Sequence, residues 1–278
     1  MGGKLFICAS PIGNMEDITH RVLRVLREAD LIAAEDTRRV RKILSRYQIS
    51  GTVVSFHDHN ERSQAPKLAD RLERGQRIAL IADAGMPGIS DPGYSLVRLC
   101  IERNIAIEVC PGPSAITAAL AVSGLPLDRF AFEGFLPRAG AERVRRIQEL
   151  ASETRTIVVF EAPQRLAETL RDLTSVLGNR QAAVARELTK VHEEVRREGL
   201  VRLADHYAGE VTKGEIVVVI EGQRMTGDLS GAIDSAKQMV EQGETRSRAA
   251  ARSAKEFGVL RRSVYEALIH SGENGSQG

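Results

Sequence analysis

Six candidate proton acceptors fall in three short stretches of this chain. They are Glu35 and Asp36 in "EDTRR", His57, Asp58 and His59 in "HDHNE", and Asp91 in "DAGMPGISDPG". Such groups serve as general bases, which accept a proton from a weak nucleophile such as a hydroxyl. Each also has a structural alternative. Glu35 and Asp36 suit a helix N-terminus, where acids are favoured, and either could pair with Arg38. Asp91 precedes a proline and could close an Asx-turn. His57, Asp58 and His59 are metal-ligand types, but positions i and i+2 share a face only if the strand continues, and no third ligand for that face follows at a suitable spacing. The stretch predicts hydrogen bonding or substrate contact, with no metal.

The stretch from Ile81 to Gly93, "IADAGMPGISDPG", raises a different question. Three glycines, two prolines and two aspartates follow directly on the apolar run "RIALIA". Ordering such a loop costs entropy, so it is expected to hold something. "PGPSA", ending at Ser114 and Ala115, has the same character, although a turn with Ser114 as a helix N-cap would also explain it. The common phosphate cradles are absent: there is no G-x-x-x-x-G-K-[ST], and no G-x-G-x-x-G follows the first strand signal. A G-x-S-x-G elbow is also missing. A ligand held by backbone groups, without a phosphate, fits this pattern.

These loops sit where strands end. "KLFICA", "DLIAA", "TVVSF", "RIALIA" and "AIEVC" read as strands with a helical pattern between each pair, which predicts an α/β fold with a largely parallel sheet. Ligands bind beyond the carboxyl ends of such strands, and all five ends lead into polar or Gly/Pro-rich loops. A second series follows: strands "FAFEGF", "TIVVFEA", "AAVARE" and "GEIVVVIEG", with helices over 139–151 and 163–177. Gly and Pro in "SGLPLDR" punctuate the change. The expected domains are therefore 1–124, 125–222 and a tail over 223–278. The tail carries no strand signal and reads as two or three small helices with a frayed end over 271–278.

The chain has 278 residues, 42% of them hydrophobic, which suffices for a sizeable core. A formal net charge of +2 means that any nucleic-acid footprint is local. Cys8, Cys100 and Cys110 lie far apart and read as core thiols of a reducing compartment. No apolar run reaches membrane-spanning length and the N-terminus lacks a signal-peptide pattern, so the expected location is the cytoplasm.

Taken in order, "SPIGNMEDIT", "AEDTRR", "HDHNE", "DAGMPGISDPG", "PGPSA", "EGFLP", "FEAPQRL", "ARELTK" and "KGEIVVVIEG" resemble the ribosomal RNA small subunit methyltransferase I family of the tetrapyrrole methylase superfamily. The resemblance runs from Leu5 to Gly222. It implies two α/β domains of the tetrapyrrole methylase type with a cofactor cleft between them, and a homodimer. It also implies transfer of a methyl group from S-adenosyl-L-methionine (SAM) to the 2′-hydroxyl of a cytidine in the decoding region of 16S rRNA. Gly85, Met86, Pro87 and Ile89 would then contact SAM, with Ile12, Ser114 and Ala115 beside them. Phe160, Glu161, Leu188 and Glu215 would close over it from the second domain. The family often has Thr and Leu around the loop proline, where this chain has Met86 and Gly88. Glu35, Asp36, His57 and Asp91 are the candidate catalytic residues, and the sequence does not choose among them. Arg38, Arg39 and Lys190 are natural phosphate contacts. The rival readings are a precorrin-type tetrapyrrole methyltransferase and a non-catalytic RNA-binding assembly factor.

The tail adds "TRSRAAARSAKEFGVLRRSVYEAL". Ala249, Ala250 and Ala254 share a helix face, Phe257–Gly258–Val259 reads as a turn, and Ser263, Val264, Tyr265 and Leu268 open a second helix. That is helix-turn-helix spacing. Arg246, Arg248, Arg252, Lys255, Arg261 and Arg262 concentrate positive charge there, so Arg252, Arg261 and Arg262 are expected RNA contacts. The alternative is a helical hairpin that only packs.

Overall fold

A computed structural model of the protein describes residues 2–209, 212–223 and 227–273. The chain forms two compact units, Met1–Glu221 and Gly222–Gly278.

The first unit opens with five parallel strands, β1 (Lys4–Cys8), β2 (Leu31–Ala34), β3 (Val53–Ser55), β4 (Arg77–Ile81) and β5 (Ala106–Cys110), in the order β3-β2-β4-β1-β5. Between them run α1 (His20–Glu28), α2 (Thr37–Arg46), α3 (Glu61–Glu73) and α4 (Tyr94–Glu102). The strands read as unbroken apolar runs because both faces are covered. Phe6, Cys8, Ile32, Ala34, Ala79 and Ile81 pack with residues of α1 and α2. Their neighbours Leu5, Ile7, Leu31, Ala33, Ile78 and Leu80 pack with residues of α3 and α4. All carboxyl ends therefore point the same way, and the loops after β1, β2, β4 and β5 meet at one rim. The three cysteines are buried free thiols.

α5 (Ala115–Ser123) ends the first half, yet its Ile116, Ala119 and Leu120 pack against Val158, Ala183, Val217 and Val219 of a second sheet. The boundary expected at 124 thus follows a helix that packs on the second sheet. That sheet has the order β6-β7-β10-β8-β9. Its strands are β6 (Phe130–Phe135), β7 (Thr156–Glu161), β8 (Gln181–Arg186), β9 (Glu194–Gly199) and β10 (Ile216–Ile220). Only β6 and β7 pair in parallel; the other pairings are antiparallel. α6 (Gly140–Glu149), α7 (Leu166–Leu177) and α8 (Leu200–Tyr207) cover its other face through Ile147, Leu170, Leu173, Leu203 and Tyr207.

The sequence reading assigns no element between 187 and 213, where β9 and α8 lie. β9 is an edge strand, "EVRREG", built from charges rather than an apolar run. Arg196 pairs with Glu198 and Arg186 with Glu194 along it, and charge on an edge blocks further strand pairing.

The second unit holds α9 (Leu229–Glu241), α10 (Arg246–Glu256) and α11 (Arg261–Glu273). Its core is made mostly of small residues, Ala232, Ala236, Ala249, Ala250 and Ala254 with Val264 and Leu268. Gly258 takes φ +64 in the turn between α10 and α11, a conformation that favours glycine. α11 runs through the first three residues of the stretch read as a frayed end, and the rest of that stretch lies outside the described residues.

Candidate functional site

At the rim of the first sheet lies a cavity of ≈ 390 Å³. Its floor comes from the ends of β1 (Ile12), β2 (Glu35) and β4 (Asp83, Ala84, Gly85, Met86), with Ile89, Ser90 and Asp91 further along the glycine loop. Ser114, Ala115 and Ile116 at the start of α5 form one side, and Arg39 of α2 another. The second sheet supplies Phe135, Phe160, Glu161, Leu188, Glu215 and Val217.

The glycine loop keeps its shape through left-handed backbone. Gly85 and Gly88 sit at φ +74 and +83, and Ser90 at φ +62. Gly85 also exchanges two backbone hydrogen bonds with Ser10, at 2.9 and 3.1 Å, which ties the loop after β4 to the end of β1. At the far end, the N–H groups of Gly93 and Ser95 both donate to Glu61 Oε1 at 3.0 Å. Asn60 Oδ1 accepts from His57 N at 2.9 Å, and Asn60 Nδ2 donates to the Ser55 carbonyl. The "HDHNE" stretch therefore supports the glycine loop from outside the cavity. Among the described residues no group of three or more His, Cys, Asp or Glu side chains could hold a metal ion.

The candidate acids divide by their partners. Asp36 caps α2 by accepting from Arg38 N at 2.8 Å and pairs with the Arg38 guanidinium at 2.7 Å. Those bonds hold its carboxyl well below the usual range, and it stands outside the cavity lining. His57 also lies outside the lining, with its buried Nδ1 lacking a partner. Glu35 lines the cavity and accepts from Asp83 N at 3.3 Å; burial raises its pKa, and Asp83 and Asp58 push the same way. Asp83 accepts from Asp36 N at 3.0 Å and pairs with Arg39 at 3.4 Å. Burial, then the negative charges of Glu35, Asp83, Asp58 and Glu215, push Asp91 up to about 7.

The wall from the second sheet is held by a buried polar network. Thr169 Oγ1 donates to Glu161 at 2.5 Å and accepts from Arg143 at 3.0 Å. Glu161 also accepts from Ala162 N at 2.8 Å and pairs with Arg165 at 3.5 Å. Lys190 bridges Glu187 and Glu215 at 2.8 and 3.2 Å, which holds the strand-end segment carrying Leu188 against the one carrying Glu215. The loop needs glycine at 214: φ is +94, and a Cβ there would meet the Glu187 carboxylate at 2.4 Å.

The structure thus brings Ile12, Gly85, Met86, Ile89, Ser114, Ala115, Phe160, Glu161, Leu188, Glu215, Glu35, Arg39 and Asp91 to one cavity, and leaves Pro87, Asp36, His57, Arg38 and Lys190 off its lining. Sequence reasoning missed Asp83 and Phe135 on the lining, and Glu61 behind it. Asp83 had a signal, because it opens the same glycine loop.

The donor set suits a ligand of mixed chemistry. Carboxylates of Glu35 and Asp83 would suit a cation. Ile12, Phe135, Phe160 and Leu188 offer an apolar wall for a flat ring. No side chain caps α5, so its first N–H groups, beside Ser114–Ile116, remain available to an anion such as a carboxylate.

Residues 4–204 match the family model of the tetrapyrrole (corrin/porphyrin) methylases. The chain is 47% identical over 221 residues to the ribosomal RNA small subunit methyltransferase I of Thermotoga maritima, covering 80% of this chain and 99% of the relative. It is 44% identical over 273 residues to the protein of the same name from Mycobacterium tuberculosis, covering 97% and 95%. Among solved structures, the uroporphyrin-III C-methyltransferase of Thermus thermophilus in complex with S-adenyl homocysteine shares the fold. Its TM-score is 0.55 and its identity 19%, over 79% of this chain and 97% of that one.

Proposed function

From the premise that the chain belongs to the tetrapyrrole methylase family, and within it to the ribosomal RNA small subunit methyltransferase I group, we propose that it methylates the ribose 2′-hydroxyl of a cytidine in the decoding region of 16S rRNA. It is a methyltransferase, with SAM as the donor. The observation that carries the reading is the cavity at the glycine loop, which answers each part of that donor. The carboxylates of Glu35 and Asp83 would hold its cationic centre, the uncapped start of α5 its carboxylate, and the wall around Phe160 its flat base. When bound, the donor supplies an electrophilic methyl group on a sulfonium.

The protein's own task is then placement. Backbone groups of the glycine loop beyond Gly85 would hold the donor end, while the Ser10–Gly85 pairing, which uses both backbone groups of Gly85, fixes the loop at the floor. The second sheet excludes water from above through Phe135 and Phe160. Arg38, Arg39 and Lys190 take phosphates. The present partners of Arg38 and Arg39 are acids, and pairs with such exposed guanidinium groups are weak enough to exchange for a phosphate. The second unit carries its own basic surface, where Arg252, Arg261 and Arg262 would take phosphates and Arg246, Arg248 and Lys255 are also exposed. The enzyme acts in the cytoplasm as a homodimer on the small ribosomal subunit or its RNA.

The test is transfer of a labelled methyl group from SAM to 16S rRNA, free and in assembled subunits, with the product mapped by alkaline cleavage. A single nucleotide resistant to cleavage supports the reading. Label in RNA without such resistance places the methyl on a base and refutes it. Label in a tetrapyrrole instead supports the precorrin-type alternative, and no transfer to either leaves the assembly factor.

A further inference from the structure

Five carboxylates line the cavity: Glu35, Asp83, Asp91, Glu161 and Glu215. Four already have a donor. Glu35 takes the N–H of Asp83, Asp83 takes the N–H of Asp36 and the Arg39 guanidinium, Glu161 takes Thr169 and the N–H of Ala162, and Glu215 takes Lys190. Asp91 has none among the described residues. The structural task open to an aspartate before a proline is an Asx-turn, accepting from the N–H two residues on. Here that N–H belongs to Gly93, and it donates to Glu61 Oε1 instead. Glu61 thus performs the loop's capping from outside and leaves the half-buried Asp91 carboxylate facing the cavity.

We propose that Asp91 is the general base of the transfer. The inference rests on the ribose-methylation reading and names the group that serves it. The ribose O2′ forms its bond to the methyl carbon, the carbon–sulfur bond breaks with its electron pair left on sulfur, and the hydroxyl proton passes to the Asp91 carboxylate and from there to water. The charged groups that act on Asp91 are Glu35 at the end of β2, Asp58 after β3, Asp83 at the end of β4 and Glu215 before β10. Arg39, paired to Asp83, lines the same cavity. Four negative charges and partial burial make its carboxylate a stronger base than an ordinary aspartate, and proton transfer is most efficient when the base titrates near working pH.

The test compares wild type, Asp91→Asn and Asp91→Glu. With Asp91→Asn, kcat should fall at least about 10²-fold while affinity for SAM and for RNA stays within about tenfold. Asp91→Glu, which restores a carboxylate, should recover part of the rate. The wild-type kcat/KM for the donor should rise with pH through about 7, and this limb should vanish in Asp91→Asn. Calorimetry adds a readout independent of turnover. A cationic donor beside a half-protonated Asp91 expels its proton, so near neutral pH the wild-type binding heat should depend on the buffer's ionisation heat, and the Asp91→Asn heat should not. Asp91→Asn with kcat within about tenfold and an unchanged acid limb overturns the assignment. So does a large loss of SAM affinity, which would make Asp91 a donor contact. An absent acid limb in the wild type overturns it without any variant. Failure of the wild type to methylate ribose at all refutes the functional reading instead, and is seen before any variant is made.

Discussion

A base kept ready in the folded state should cost stability, and Asp91 allows that cost to be worked out. Its carboxyl titrates at 3.8 when free and at about 7 in the fold, raised first by burial and then by Glu35, Asp83, Asp58 and Glu215. Between these values the folded chain binds the proton that the unfolded chain has released. Stability therefore falls as pH rises from about 4 to about 7, and stays lower above that. The full interval corresponds to roughly 4 kcal/mol at about 1.36 kcal/mol per pH unit. Asp91 is partly open to solvent, and screening reduces this to about 1–2 kcal/mol. Asp91→Asn keeps the shape and removes the charge, so the variant should be more stable than wild type by about 1–2 kcal/mol at pH 8, or roughly 2–8 °C in Tm. Near pH 5 only about a third of the gain should remain. Thermal melts followed by circular dichroism at the two pH values provide the measurement. A variant no more stable than wild type at pH 8 would refute the reasoning, as would a gain equal at both pH values. The first result would mean that the four acids do not load Asp91, and the second that the substitution acts through packing.

Three further outcomes follow from other parts of the molecule. Gly85→Val places a β-branched residue at φ +74 beside the Ser10 pairing, and should cost about 1–2 kcal/mol of stability and at least tenfold in SAM affinity. Unchanged calorimetric affinity in the folded variant would remove the loop from the donor site. Thr169→Val keeps the volume but takes the hydroxyl from Glu161 and Arg143, and should lower urea stability by about 1.5–3 kcal/mol. A neutral result would show the network to be dispensable. A chain ending at Gly222 should stay folded, because both sheets and their cores lie within the first unit. It should bind SAM as before, bind RNA more weakly, and lose about 0.7–0.9 of salt slope for each phosphate contact removed. An intact RNA affinity and slope would make the second unit a packing element.

The elements of the fold were legible wherever the chain is buried on both faces. β1, β2 and β4 are apolar at every turn of the pleat because helices cover each side, and the glycines and prolines between elements marked their ends. β9 was not legible because an edge strand stabilised by Arg186, Arg196, Glu194 and Glu198 has neither an apolar run nor alternation. The pairing directions of the second sheet were also out of reach. They depend on which strand lies beside β10, and nothing local in "GEIVVVIEG" records that β7 and β8 both run against it.

The site was legible as a set of loops but not as a set of roles, and the reason is physical. A carboxylate's chemistry is decided by whether something already donates to it, and the donors come from distant positions. Asp36 and Asp91 look alike in sequence, since each sits on a strand-end loop among polar neighbours. Asp36 meets the Arg38 guanidinium and the start of its own helix, so its proton affinity drops. Asp91 would have met the Gly93 N–H, but Glu61, on a different helix, takes that bond. The free carboxylate therefore follows from an acid thirty positions earlier in the chain, in the same short stretch as His57 and His59. Glu61→Gln gives this dependence a direct form: it weakens the acceptor for Gly93 and Ser95, so Asp91 can turn back to cap its own loop. The same substitution would leave the other lining residues in place while lowering the proton affinity of Asp91, because a carboxylate that accepts an N–H bond is a weaker base.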